Sequence, residues 1–292
     1  MKTLCNKLLP LALVILTGAA GGALRGYELT AYYNDATGLY DAGPVTYALL
    51  GFSAVMVLFC VCFAFVKKGA HLSYGQLYRC GTAGTMLTLL SGVILLAAGI
   101  FRAYTFLFSR SMASLLFGVL TILCGVTLCA LSIARKNRTM PELTGLGAVA
   151  LIYWAAFMLV QVFMEHPVEP EEFVYVYDLL GMCFALLAVY AATAQIFGKE
   201  RTRLSLLSAL AAIFLLIVSA FGRVMTFAFS GSLYYIFQSA FRILVSAALV
   251  CYLTANAASV LLHWGEVSDE PEEPEPAEET PADGEEEDRE AV

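Results

Sequence analysis

Arg102-Ala-Tyr-Thr-Phe-Leu-Phe-Ser-Arg-Ser111 recurs later in the chain as Arg223-Val-Met-Thr-Phe-Ala-Phe-Ser-Gly-Ser232, with six of the ten positions identical. Each copy closes the third hydrophobic segment of its half of the chain. Within each copy, Arg, Thr, Phe and Ser fall at i, i+3, i+4 and i+7, a spacing that puts them on one face of a helix. The stretch predicts a helix end and a Ser-x-Ser turn, with Ser111 and Ser232 as N-caps of the next helix.

The composition around these copies is that of a membrane protein. Hydrophobic residues make up 60% of the 292 residues and charged residues only 14%, too few charges to cover a water-exposed surface. Apolar runs near the roughly 20 residues needed to span a bilayer recur along the chain, and helices are the structure that satisfies their backbones there. Eight segments are predicted: Leu4 to Leu24, Val45 to Val66, Thr85 to Phe108, Met112 to Ile133, Leu146 to Met164, Val174 to Phe197, Leu204 to Phe229 and Leu233 to about Leu262.

A second match supports two related halves. Tyr47-Ala-Leu-Leu-Gly51 starts the second segment, and Tyr177-Asp-Leu-Leu-Gly181 starts the sixth. Four spans per half give both halves the same orientation, as in parallel-repeat transporters. The predicted fold is therefore an all-α polytopic membrane protein with two parallel four-helix repeats, residues 1–140 and 141–264, followed by a tail, residues 265–292. Convergent patterning of membrane interfaces remains the alternative to duplication.

Basic residues predict the orientation, because Lys and Arg favour cytoplasmic loops. Eleven lie before the first segment or in alternate loops and their borders: Lys2, Lys7, Lys67, Lys68, Arg79, Arg135, Lys136, Arg138, Lys199, Arg201 and Arg203. The opposite loops and borders hold five arginines, among them Arg25, together with acids such as Glu28. Both termini are thus predicted to face the cytoplasm of an inner membrane. A cleavable signal peptide over residues 1–23 is the alternative to a first spanning helix.

The C-terminal tail differs from the body in charge. From Glu266 onward it carries 14 of the 24 acidic residues and one of the 17 basic residues, which leaves the body with 10 acids and 16 bases. A segment rich in Glu, Pro, Ala and Asp cannot bury enough apolar surface to fold alone. We expect a disordered, solvated tail; docking to a cytoplasmic partner is the alternative.

Four charged residues are the candidate ligand-binding residues. Arg102, Arg223 and Arg242 lie inside apolar segments, where charge is costly and usually faces a cavity or a counter-charge. Asp178 is the best available carboxylate partner, and we expect it to pair with Arg242. For Arg102 and Arg223, the favoured interpretation is instead that the side chains reach the outer lipid headgroups.

Signs of catalysis are missing from the sequence. His71, His166 and His263 are too dispersed for a predicted zinc or haem site, and no hydrolase, phosphate-loop or dinucleotide motif occurs. The eight cysteines lack metal-ligand spacing and are interpreted as reduced packing residues. We therefore expect no enzyme activity, no metal or other cofactor, and no nucleic-acid partner, with membrane lipid as the environment. Tyrosines crowd the outer ends, among them Tyr27, Tyr47, Tyr104 and Tyr177; most are predicted to form an interfacial belt, and ligand stacking by a few of them is the alternative.

Two classes of function fit this architecture. The first is a small-molecule permease, or a solute-binding membrane subunit, with an outward-facing vestibule near the three arginines. The alternative is a non-transporting sensor, scaffold or assembly partner, whose small residues, as in Gly18-Ala-Ala-Gly-Gly22, serve helix packing. Four polar residues discriminate between them by lining a midplane cavity or by bonding neighbouring helices: Gln161, Gln195, Gln238 and Asn256.

Overall fold

The computed structural model describes residues 2–34, 39–40, 43–66, 77, 81–110, 112–137, 142–165, 175–199, 201–230 and 233–264. Within these residues the chain forms eight helices: α1 Lys2–Ala31, α2 Pro44–Val66, α3 Thr82–Ser109, α4 Met112–Asn137, α5 Glu142–Glu165, α6 Val176–Ile196, α7 Thr202–Ser230 and α8 Leu233–Leu262. All eight are long and apolar enough to cross a membrane, which confirms the predicted number of spans. The predicted caps Ser111 and Ser232 and the predicted disordered tail lie outside the described residues.

The described part of the structure is all-helical, as predicted, apart from one short antiparallel pair of strands that lies between α1 and α2 in the sequence. The strands are β1 Tyr33–Asn34 and β2 Leu39–Tyr40, with Tyr33 opposite Tyr40. Two residues per strand are too few to give the alternation of apolar and polar residues that predicts a strand. We call this side of the bundle the hairpin end and the opposite side the tail end. The hairpin end is the predicted outer face.

Helix α1 continues to Ala31, seven residues beyond the predicted end of the first segment at Leu24. Arg25 and Glu28 were predicted to lie in or beside a loop, whereas the structure places both on this helix. They are three residues apart, so they share a face, and their side chains form an ion pair of 2.5 Å. Because Arg25 and Glu28 neutralise each other on the same helix, α1 can continue past the end of the apolar run at Leu24.

Helix α7 is the central helix of the bundle. It packs against α1, α2, α6 and α8. Its middle turns are apolar on every side, and Leu210, Ile213 and Phe214 are completely buried. A helix that is hydrophobic all round is expected at the core, whereas the outer helices keep one face exposed to lipid.

Close approach of backbones joins two pairs of helices. At the contact of α1 with α7, a Cβ added at Gly22 would lie 2.9 Å from the Cβ of Phe221, and one at Gly26 only 2.4 Å from that of Met225. The pair of α3 and α4 is built from Gly92 against Gly125 and from Gly99 against Gly118, where an added Cβ would meet backbone atoms at 2.8 to 3.0 Å. Small residues are the usual means of such contact in membranes.

The two proposed repeats pack differently. Helix α3, the proposed counterpart of α7, packs mainly against α4 and α8 rather than at the centre. Tyr47 has 61% of its surface exposed, whereas its proposed counterpart Tyr177 is 5% exposed. Duplication therefore stays a prediction based on the two sequence matches, and the described helices do not add support from their packing.

Candidate functional site

Asp178 is the centre of a polar site at the hairpin end. It lies in the first turn of α6, two residues after Val176, and is buried. Its carboxylate accepts a hydrogen bond from the hydroxyl of Ser219 and another from the guanidinium of Arg223, both on α7. Ser219 and Arg223 are four residues apart and therefore share the helix face that meets α6. Residue spacing on α7 thus supplies two donors to one buried acid.

Arg242 approaches the same carboxylate from α8. Its Nη1 atom lies 3.6 Å from Oδ2 of Asp178, so the predicted contact between these two residues is present. That distance exceeds the usual length of a charge-assisted hydrogen bond, about 2.7 to 2.9 Å. Arg223 is the closer partner. A fifth of the Arg242 side chain remains exposed.

The prediction that Arg223 reaches the lipid headgroups was wrong. Its guanidinium points to Asp178, and its side chain is 12% exposed. A carboxylate buried within reach offers the guanidinium a counter-charge at the same depth, which offsets the cost of keeping both charges away from water. The sequence placed Asp178 near the same end of the bundle as the arginines but could not show which arginine was nearer.

Arg102, the equivalent position in the first copy of the repeated stretch, has a different environment. Its guanidinium carbon lies 5.1 Å from the centre of the Phe241 ring on α8. This cation–π contact is with the residue before Arg242, so α8 meets both Arg102 and Asp178. The structure brings Arg223, Arg242 and Asp178 into one group and places Arg102 against an aromatic ring beside that group.

Arg25, Glu28 and Tyr177 belong to the same region and were not among the predicted site residues. The guanidinium of Arg25 lies 5.2 Å from the centre of the Tyr177 ring, and Tyr177 directly precedes Asp178. Tyr177 is buried, so it is not one of the tyrosines that form an exposed belt. The i, i+3 spacing of Arg25 and Glu28, and the continuation of small residues to Gly26, were the signals that could have found the site.

We call the five charged residues Arg25, Glu28, Asp178, Arg223 and Arg242 the arginine cluster. Three guanidinium groups against two carboxylates give these residues a summed charge of +1. They come from α1, α6, α7 and α8, and Gly222 lets α1 lie close, because a Cβ there would sit 2.7 Å from Cγ of Arg25. The arrangement is chemically suited to holding a negatively charged group beside Arg242.

A second polar contact joins α4 to α8 near the tail end. Arg135 was predicted to lie in a cytoplasmic connection, but the structure places it on α4 and buries it. It donates a hydrogen bond of 2.9 Å from Nη1 to the side-chain oxygen of Asn256, and its guanidinium carbon lies 5.8 Å from the Tyr252 ring centre. Nearby, Nζ of Lys7 donates to the carbonyl of Leu262 at the end of α8. These basic residues therefore also tie helices together.

The four polar residues that could distinguish a permease from a scaffold have different environments. Asn256 bonds a neighbouring helix through Arg135. Gln161 and Gln195 are buried among the packed helices. The side chain of Gln238 lies outside the described residues. For Asn256, the contact is of the kind expected for helix packing.

Comparison with known proteins returned no match to a family, to a curated protein or to a solved structure. Within the described residues, no group of three or more His, Cys, Asp or Glu side chains is placed to hold a metal ion. The described site is therefore a set of charged side chains at one end of a helical bundle.

Proposed function

We propose that the protein is a solute-binding membrane subunit that holds an anionic group at the arginine cluster. The observation that carries this proposal is the position of Arg242. Its guanidinium lies 3.6 Å from a carboxylate already bonded by Arg223 and Ser219, and part of its side chain is exposed. A phosphate or carboxylate group beside Arg242 would gain charge-assisted hydrogen bonds at a site where the geometry is already fixed by Asp178.

The proposal concerns binding and includes neither transport nor catalysis. A permease needs a polar path across the bundle, whereas the middle of α7 is packed with buried apolar residues such as Leu210 and Phe214. Asp178 also occupies the place between Arg223 and Arg242 where an outward vestibule was expected. Binding at the hairpin end requires no such path. With the predicted orientation, the solute would reach the site from outside the cell membrane.

Thermal unfolding in a neutral maltoside detergent tests the binding. Glycerol phosphate is added to the purified protein, and sodium chloride at equal ionic strength serves as the reference. At ten times its dissociation constant, a ligand that binds only the folded state stabilises it by about 1.4 kcal/mol. A rise of about 3 °C in melting temperature is expected.

Two variants make this test specific. Arg242→Gln should lose the rise relative to its own melting temperature without ligand. Arg203→Gln should keep it, because Arg203 is exposed at the start of α7, at the tail end. An equal rise in melting temperature in both variants, or no rise in the wild type at any concentration of glycerol phosphate in the titration, would refute anion binding at the cluster.

A scaffold or assembly partner is the second candidate, and the bond between Arg135 and Asn256 favours it. Arg135 and Asn256 could line a solute pathway, but their side chains bond each other between α4 and α8. In this function the acidic tail recruits a cytoplasmic protein. Crosslinking in cells, with and without residues 266–292, tests it: a partner captured by both chains, or by neither, would contradict recruitment by the tail.

A further inference from the structure

A groove runs between α2 and α6 on the outside of the bundle. Its volume is about 410 Å³, within the range of about 300 to 1,000 Å³ typical of ligand pockets. Both helices pack against α7, and Leu215 of α7 lies at the bottom of the groove. Rim residues such as Leu58 and Leu180 are exposed, so the groove opens sideways, at the depth of the spanning segments.

The groove is about as long as half the thickness of a hydrocarbon core, and along α2 it lies across the middle of the spanning segment. Along α2 it extends from Leu50 to Val61, a separation of eleven positions, or about 16 Å at 1.5 Å per residue. Half of a hydrocarbon core of about 30 Å is about 15 Å. Its walls are almost entirely apolar. An extended hydrocarbon chain therefore fits the groove in both length and chemistry.

Polar atoms are confined to the lining residues Ser53 and Tyr177. The hydroxyl of Ser53 donates to the carbonyl of Leu49 at 2.8 Å, which uses its single proton. The oxygens of Ser53 and Tyr177 are 3.4 Å apart, well beyond the usual O–H···O distance of about 2.7 to 2.8 Å. Tyr177 is buried and lies at the hairpin end of the groove. Its hydroxyl proton can be donated to Oγ of Ser53 over this long distance or, in exchange, to a ligand oxygen that approaches more closely.

We propose that this groove binds one acyl chain of a membrane phospholipid, with the ester carbonyl of that chain accepting a hydrogen bond from Tyr177. Transfer of the chain from bilayer to groove brings little hydrophobic gain, because lipid tails are as apolar as the walls. Selectivity therefore comes from the hydrogen bond and from shape. The site is separate from anion binding beside Arg242, since Tyr177 faces α1 and α2 whereas Asp178 faces α7 and α8.

Photo-crosslinking in nanodiscs tests this site. The probes are two phosphatidylcholines with a diazirine in one chain, identical except that the chains are ester-linked in one and ether-linked in the other. Mass spectrometry measures the crosslinks to peptides of α2 and α6 relative to those on the exposed face of α4. The wild type should favour the ester probe at the groove about fivefold, the value of one ordinary hydrogen bond.

Three variants separate the parts of the proposal. Ala54→Phe fills the groove and should reduce its crosslinks to the level of the α4 face, whereas Ala130→Phe, at an exposed position of α4, should leave them unchanged. Tyr177→Phe should keep the crosslinks and abolish the preference for the ester probe. Unchanged crosslinking in Ala54→Phe would overturn the groove as the site. An ester preference retained by Tyr177→Phe would overturn the hydrogen bond.

Discussion

Replacement of Asp178 by Asn tests the charge arrangement at the centre of the site. The change keeps the shape of the side chain and removes its charge, which leaves Arg223 and Arg242 close together with no carboxylate between them. At an effective dielectric constant near 20, two unit charges 3.6 Å apart interact by about 4 to 5 kcal/mol. Removing one partner of a buried pair typically costs about 3 to 5 kcal/mol. We expect Asp178→Asn to lower the free energy of unfolding by that amount.

Arg223→Gln should cost less, about 2 to 3 kcal/mol, because Arg242 remains near Asp178 and still offsets part of its charge. The double variant should cost less than the sum of the two single losses by at least about 1 kcal/mol, since groups in direct contact are coupled. The predicted coupling concerns only residues that share the Asp178 carboxylate.

Equilibrium unfolding in mixed micelles, titrated with sodium dodecyl sulfate and followed by tryptophan fluorescence, measures these free energies. Trp154 is completely buried and should report the loss of packing. Arg203→Gln is the matched control for the loss of an exposed arginine. Strictly additive losses from Asp178→Asn and Arg223→Gln, or an Asp178→Asn variant as stable as the wild type, would refute a buried pair.

Two further predictions concern packing and orientation. Gly26→Ala should destabilise the protein by about 1 to 3 kcal/mol, because the new Cβ would lie 2.4 Å from Cβ of Met225. Gly51→Ala is the control and should be neutral or slightly stabilising, because a Cβ at Gly51 would have no atom within 4 Å. Equal effects of the two variants in the same unfolding titration would contradict close packing of α1 on α7. A fluorescent protein fused after Val292 should fluoresce in cells if the tail is cytoplasmic, and an alkaline phosphatase fused there should be inactive; the reverse result would overturn the predicted orientation.

The number of helices and most of their ends could be predicted because apolar length is a strong signal in a membrane protein. Helix α4, for example, begins at Met112 as predicted. The error at α1 has a clear physical cause. Arg25 and Glu28 look like the end of a span by hydropathy, but as an ion pair on one helical face they let the helix continue.

The partners of the site could not be predicted, because they depend on which helices are neighbours in space. The sequence marked Asp178 and three arginines as unusual charges in apolar segments. It carried no information that α7 is central or that α6 lies beside it, so Arg223 was assigned to the lipid surface. The same limit applies to Tyr177, which has the sequence surroundings of an exposed Tyr47 but faces Arg25.

The contact between α1 and α7 has a consequence for how the chain is made. Gly22 and Gly222 are 200 residues apart in the sequence, and ribosomes add about 5 to 20 residues per second. The first helix therefore spends about 10 to 40 seconds in the membrane before the ribosome has produced its principal partner. During that interval Arg25 and Glu28 can neutralise each other's charge without another helix, since both residues belong to α1. An ion pair within α1 therefore allows this helix to remain in lipid until α7 has been synthesised and can pack against it.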